Sequence, residues 1–196
     1  MAPLVSPLVS NDDPELAALL ESMAQTGGYV PNSVRTMARR PGLPAAFAQL
    51  ARVVLGPGHI DRELKSLIAL VASVAAGCRY CQAHTSTSAT RAGGDNARVQ
   101  AAWQFETSPA FSEAERVLLR LARDAANVPN LIDDRHRAEL AVHHDEVVIA
   151  EAVAVIALFG FLNRWNDTMG TTLEDMPASA AQVSIASLGW NAGKHA

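Results

Sequence analysis

The chain has 196 residues, of which 49% are hydrophobic and 18% charged, with a formal net charge of −4 and a pI near 5.8. That composition can bury a sizeable core in one domain and is not that of a disordered chain. No basic run or stripe occurs, so a nucleic-acid partner is not expected.

Residues 1–11 read as an N-terminal arm that packs loosely, on a neighbour if on anything. They lack the positive start and long apolar run of a signal peptide, and a cytoplasmic location is the default expectation. Residues 12–196 read as a single all-α domain, because alanine and leucine are abundant and no period-2 alternation stands out. Start and stop signals predict helices near 13–25, 32–40, 44–55, 61–76, 79–92, 95–104, 112–126, 132–143, 145–169 and 177–188. Asp13-Pro14 places an N-cap before a proline at the first helical position. Ser112 and Glu115 have capping-box spacing, and Asp61, Asp95 and Asp145 are further caps. Glycines at 27–28, 56, 58, 93–94 and 170 mark stops.

Two apolar runs bear on membranes and assembly. Leu67 to Ala76 is shorter than the roughly 20 residues of a membrane span. Val147 to Leu162 is also short and carries Glu151. Both read as buried helices, with no membrane partner. The second is apolar nearly all round, which asks for cover on every side. A small domain rarely provides that alone, so a homo-oligomer is expected.

The two cysteines, Cys78 and Cys81, lie one helical turn apart in Gly77-Cys78-Arg79-Tyr80-Cys81-Gln82-Ala83-His84. In a reducing compartment such a pair points to catalysis or metal rather than to a structural bridge. Cys78 opens a predicted helix, where free N–H groups and the positive helix end favour the reactive thiolate. His84 lies a further turn along and is a candidate proton acceptor. Cys78, Cys81 and His84 could supply three zinc ligands, but a structural site wants four, so a structural zinc is not expected. Tyr80 either donates a hydrogen bond or packs. His143-His144-Asp145-Glu146 reads as a cap and solvated turn, because helix neighbours do not converge. Glu151, inside an apolar helix, needs a partner: an arginine, or the reactive site as a proton acceptor. Asn163, Trp165 and Asn166 are candidates to line a pocket.

The stretch Leu64-Lys65-Ser66-Leu67-Ile68-Ala69-Leu70-Val71-Ala72-Ser73, followed by the cysteine segment, resembles the carboxymuconolactone decarboxylase family, and more closely its alkylhydroperoxidase D-like, peroxidase-related branch. Phe161-Leu162-Asn163-Arg164-Trp165-Asn166-Asp167 resembles a second segment of the longer relatives, and the likeness covers most of residues 30–175. The resemblance implies an alkylhydroperoxidase D-like helical bundle assembled as a dimer, trimer or hexamer. It implies a disulfide cycle in which Cys81 attacks a hydroperoxide and becomes a sulfenic acid, and Cys78 resolves it. A dithiol reductant protein or small thiol then restores the pair. The resemblance implies no metal and no organic cofactor. The family's usual relay glutamate falls at Ser66 and its usual histidine at Thr85. Glu63 and His84 stand nearby as substitutes, and Glu63 reads equally as a solvated charge at a helix start. Two other functions fit the same fold: lactone decarboxylation of a small cyclic acid, and a non-enzymatic redox sensor or scaffold.

Overall fold

A computed structural model describes residues 2–9 and 12–196. Its helices are α1 (Pro14–Gly27), α2 (Asn32–Met37), α3 (Leu43–Leu55), α4 (Arg62–Ala75), α5 (Arg79–Arg91), α6 (Asn96–Ala101), α7 (Glu113–Ala125), α8 (Asp134–His143), α9 (Glu146–Met169) and α10 (Asp175–Ser184). Three short 3₁₀ turns follow α6 and α10, at Ala102–Gln104, Ala186–Leu188 and Gly193–His195. Among the described residues there is no strand.

Local chemistry sets most ends. Asp13, Asp61, Asp95 and Asp145 each accept N–H groups of the first turn of their helices, and Ser112 with Glu115 closes a reciprocal capping box. Gly28 and Gly170 end α1 and α9 in the left-handed region. The helix expected from 177 begins instead at Asp175. Pro177 sits within the first turn, where its missing N–H leaves no bond unmade.

α4 lies at the centre. Leu67, Ile68, Leu70 and Ala72 are almost completely buried, and the helix packs against α5, α7 and α9. This brings the start of α5 against the second half of α9. The expectation that α9 is covered on all sides is not met within the chain. One face (Ala152, Val155, Leu158, Asn163, Asn166) is buried, while Val147, Val153 and Phe161 are exposed. The full helix spans 24 residues, and only 28% of its most apolar window is buried. It is long and apolar enough by composition to cross a membrane.

The arm lies on its own chain. Leu4 N–H donates to the Met169 carbonyl at 2.8 Å, and Leu8 exchanges bonds with Arg35. Arg39 holds the Ser6 carbonyl. Ser10 and Asn11, the end of the expected arm, and Met1 lie outside the described residues.

Candidate active site

Gly77, at φ 75°, turns the chain from α4 into α5 through a conformation that side chains resist. The next residue, Cys78, is the α5 N-cap, and its sulfur accepts the Cys81 N–H at 3.5 Å. Its own N–H is held by the Ser73 carbonyl. The two cysteines approach within 3.3 Å, and both are free thiols and buried.

The pair is electrically unequal. A hydrogen bond from the Cys81 thiol draws the Cys78 thiol below its ordinary value, against the opposing effect of burial, and the N–H groups of Cys81 and Tyr80 assist. Burial pushes the Cys81 thiol well up, and its bond to Cys78 adds to this. Asn166 donates to the Cys81 sulfur at 3.6 Å and opposes that rise. The Asp167 carboxylate, one residue on, disfavours ionisation of both thiols. Of the two thiols, Cys78 is therefore the one that gives up its proton more readily.

His84 does not reach a sulfur through any hydrogen bond in the structure. Its ring stacks on Tyr80 at 4.4 Å, its Nε2 meets Glu174 at 2.7 Å, and its Nδ1 meets the Tyr29 hydroxyl at 2.9 Å. Since a carboxylate only accepts, Nε2 donates. Tyr80 donates to the same carboxylate at 2.7 Å and accepts from the Ser33 N–H, and the Asn32 N–H also binds Glu174. Burial raises the Glu174 carboxyl, but the bonds from His84, Asn32 and Tyr80 more than reverse this and leave it below the usual range. Burial, with the Glu174 charge behind it, raises the hydroxyls of Tyr29 and Tyr80. The result is a closed polar network beneath the cysteine turn.

Glu63 belongs elsewhere. It pairs with Arg98 at 2.7 Å, and that guanidinium also holds Glu115 and the Ala110 carbonyl. Glu151 has a lysine partner rather than an arginine: buried Lys65 meets it at 2.5 Å, and the N–H groups of His59 and Ile60 cap it. Trp165 donates to Thr36. His144 binds the Ala114 carbonyl, tying the α8–α9 turn to α7. Ser66 and Thr85 both line a 480 Å³ cavity between α4 and α5.

Two residues near the pair escaped sequence reasoning. Glu174 sits 90 positions from its histidine with no local signature. His195 sits near the C-terminus yet is 1% exposed. Its Nδ1 bonds the Thr171 carbonyl at 2.8 Å, its ring lies 5.9 Å from Tyr80, and its Nε2 is 3.8 Å from Asp167. Burial lowers its pKa and keeps the ring neutral. Trp190 donates to the Arg79 carbonyl and Arg79 to that of Gly189, so the C-terminal tail is fastened over the start of α5. A second cavity, of about 670 Å³, opens beside this region and is lined by Ala75, Ala76, Gly160, Asn163 and Asp167 among others.

The carboxymuconolactone decarboxylase family model matches residues 41–124. The uncharacterized protein YnjA of Escherichia coli strain K12 is 30% identical over 119 residues, which is 61% of this chain and 63% of that protein. The chain thus spans just under two thirds of that relative's length. The debrominase Bmp8 is 40% identical over 90% of this chain and 95% of its own, with a TM-score of 0.83. A cysteine-to-alanine variant of Bmp8 in complex with 2,3,4-tribromopyrrole aligns at 39% identity and a TM-score of 0.85, over 93% and 98%. A peroxidase-related protein from Ralstonia eutropha JMP134 with an alkylhydroperoxidase AhpD core has the same fold, at 18% identity and a TM-score of 0.77 over 90% and 96%. Residues 41–124, which hold the α4–α5 core, match the carboxymuconolactone decarboxylase family, and the chain as a whole has an alkylhydroperoxidase D-like helical fold.

Proposed function

We propose that the protein is a thiol-dependent oxidoreductase that reduces hydroperoxides through a Cys78/Cys81 disulfide cycle. The observation that carries this reading is the pair itself. Two free thiols stand within 3.3 Å at a helix start, with the Cys78 sulfur accepting the Cys81 N–H. In the proposed cycle the Cys78 thiolate attacks the terminal peroxide oxygen. The O–O bond breaks, the sulfur becomes a sulfenic acid, and the leaving alkoxide takes a proton to give the alcohol. The Cys81 thiol then attacks the sulfenic sulfur, forming the disulfide and releasing water. An external dithiol returns two electrons by exchange. This order reverses the roles that the family resemblance implies; its support is the N-cap position of Cys78, whose sulfur accepts the Cys81 N–H and whose thiol is drawn below its ordinary value.

His84 and Glu174 support the site by fixing Tyr80, one of the two residues between the cysteines. Glu63 has no part in the proposed cycle. The exposed apolar face of α9 is the surface assigned to a second copy in a homo-oligomer.

The test is direct. The reduced protein mixed with cumene hydroperoxide should lose both thiols, with a mass change of two hydrogens that dithiothreitol reverses. Persistent free thiols would sink the proposal.

The 40% identity to a debrominase over nearly its full length favours a second reading with the same electron flow. The thiolate would attack bromine of a brominated ring, giving a sulfenyl bromide and a ring carbanion that takes a proton. The second thiol would then form the disulfide and release bromide. Thiol-dependent bromide release from 2,3,4-tribromopyrrole, without peroxide consumption, would select this reading.

A further inference from the structure

Burial leaves a few polar atoms without a hydrogen-bond partner, and they gather at one end of α9. Among the described residues they are both amide atoms of Asn163, Oδ1 of Asn166, Oγ1 of Thr171 and Nε2 of His195. Native interiors rarely leave such atoms unpaired, and a cluster of them marks a place where a polar group is to be received. Asn166 from this cluster donates to the Cys81 sulfur.

Asn163 is the most exceptional member. It is 4% exposed, neither amide atom has a partner, and the residue forms part of the wall of the 670 Å³ cavity. It lies one helical turn from Asn166 and on the same face. The helix face that carries Asn166 to the Cys81 sulfur thus also carries Asn163 to the cavity wall. Turning its carboxamide into the cavity breaks no hydrogen bond, because it makes none. The remaining wall joins an apolar part (Ala76, Ala125, Val153, Ile156) to a polar one (Asn127, Asn130, Thr168).

A carboxamide offers a donor beside an acceptor. Its complement is a neutral group with an acceptor beside a donor. Asp167 and Arg164 stand on the same wall with opposite charges, so the wall carries no net charge to favour an ionic ligand. Gly160, also on the wall, lies inside α9, where glycine weakens a helix. A Cβ there would meet nothing within 4 Å, so packing does not demand the glycine, and a longer side chain has room at the cavity's rim.

We propose that this cavity is the ligand site of the thiol pair. It takes a neutral molecule with an apolar body and a hydrogen-bonding edge of adjacent donor and acceptor, held by Asn163. The site's role as a substrate pocket rests on the thiol reading above, but its binding chemistry does not.

The test uses 2-pyridone, a flat ring with an N–H beside a C=O that thiols do not reduce. It is titrated calorimetrically into the full-length C78S/C81S chain. Saturable binding at one site per chain is expected. N-methyl-2-pyridone, which lacks the donor, should bind at least about tenfold more weakly, as should 2-pyridone to Asn163→Leu and to Gly160→Leu. Gly160→Leu fills open space and guards against a folding defect at Asn163. No binding of 2-pyridone, equal binding of the two pyridones, or unchanged binding in both variants would overturn the site. Inert wild-type thiols alongside normal pyridone binding would instead reject the redox reading and leave this one standing.

Discussion

The Cys78 sulfur accepts the backbone N–H of Cys81, so one cysteine caps the helix that carries the other. This asymmetry governs reactivity. With its pKa lowered from 9.0, Cys78 holds more thiolate at neutral pH than a free cysteine, while Cys81 remains protonated. Alkylation by iodoacetamide, followed peptide by peptide with mass spectrometry, should begin at lower pH for Cys78 than for Cys81. In the peroxide reaction, Cys81→Ser should trap a sulfenic acid on Cys78, and Cys78→Ser should form none. The opposite trapping pattern would restore Cys81 as the attacking residue. Serine is itself a good N-cap, so Cys78→Ser should fold normally, whereas Cys78→Ala should lose about 0.5–2 kcal/mol in urea unfolding.

The Glu174 network should show in acid stability. Its carboxyl is held below the usual range, so the folded state gains from ionisation. That gain is present above the unfolded value of about 4.3 and is lost as pH falls through the depressed folded value. Glu174→Gln removes the charge, and its amide has one acceptor for the three donors at Asn32, Tyr80 and His84. It should cost about 1–3 kcal/mol at neutral pH and flatten the acid limb of a Tm–pH curve. An unchanged acid limb would show that the carboxyl is not ionised in the fold.

The fold was legible because its signals are local. Caps at Asp61, Ser112 and Asp145 and the glycines after α1 and α9 mark helix ends within a few residues. The cysteines were legible for the same reason: their spacing and position at a helix start are written in four residues. The environment of the pair was not. His84 follows Cys81 by three positions, which suggested a shared face, but its ring lies over Tyr80 and is claimed by Glu174 from the start of α10. Glu63 has the right distance along the chain to replace the missing acid, yet Arg98, 35 positions away, takes it. Glu174 and His195 carry no neighbouring pattern, and only the return of the chain after α9 brings them to α5. A pairing made by tertiary return cannot be read from periodicity.

That same return predicts how the thiols are reached. Both sulfurs are buried, and the tail is fastened to α5 by Trp190 on the Arg79 carbonyl at 3.0 Å and by Arg79 on the Gly189 carbonyl at 3.0 Å. Trp190→Phe keeps most of the buried ring and removes one donor. Loss of roughly 1–2 kcal/mol of local closure raises the open fraction about five- to thirtyfold. The rate of thiol titration by an aromatic disulfide should rise by that factor with little change in global stability. An unaltered rate would show that access does not pass the tail.

Lys65 and Glu151 provide the last separation of structure from chemistry. Lys65 is 2% exposed and its ammonium holds the Val54 and Gly56 carbonyls as well as the carboxylate. Glu151 in turn caps the His59 and Ile60 N–H groups. Every polar atom of the pair is thus committed to joining α4, α9 and the turn after α3. Removing one partner leaves a buried charge unmatched, so Glu151→Leu should destabilise by about 3–5 kcal/mol. Adding Lys65→Met removes that charge and should recover part of the loss. Thiol oxidation by hydroperoxide, normalised to folded protein, should be unchanged in the double variant. A specific loss of rate there, with the fold intact, would place Glu151 in the proton path and not in the scaffold.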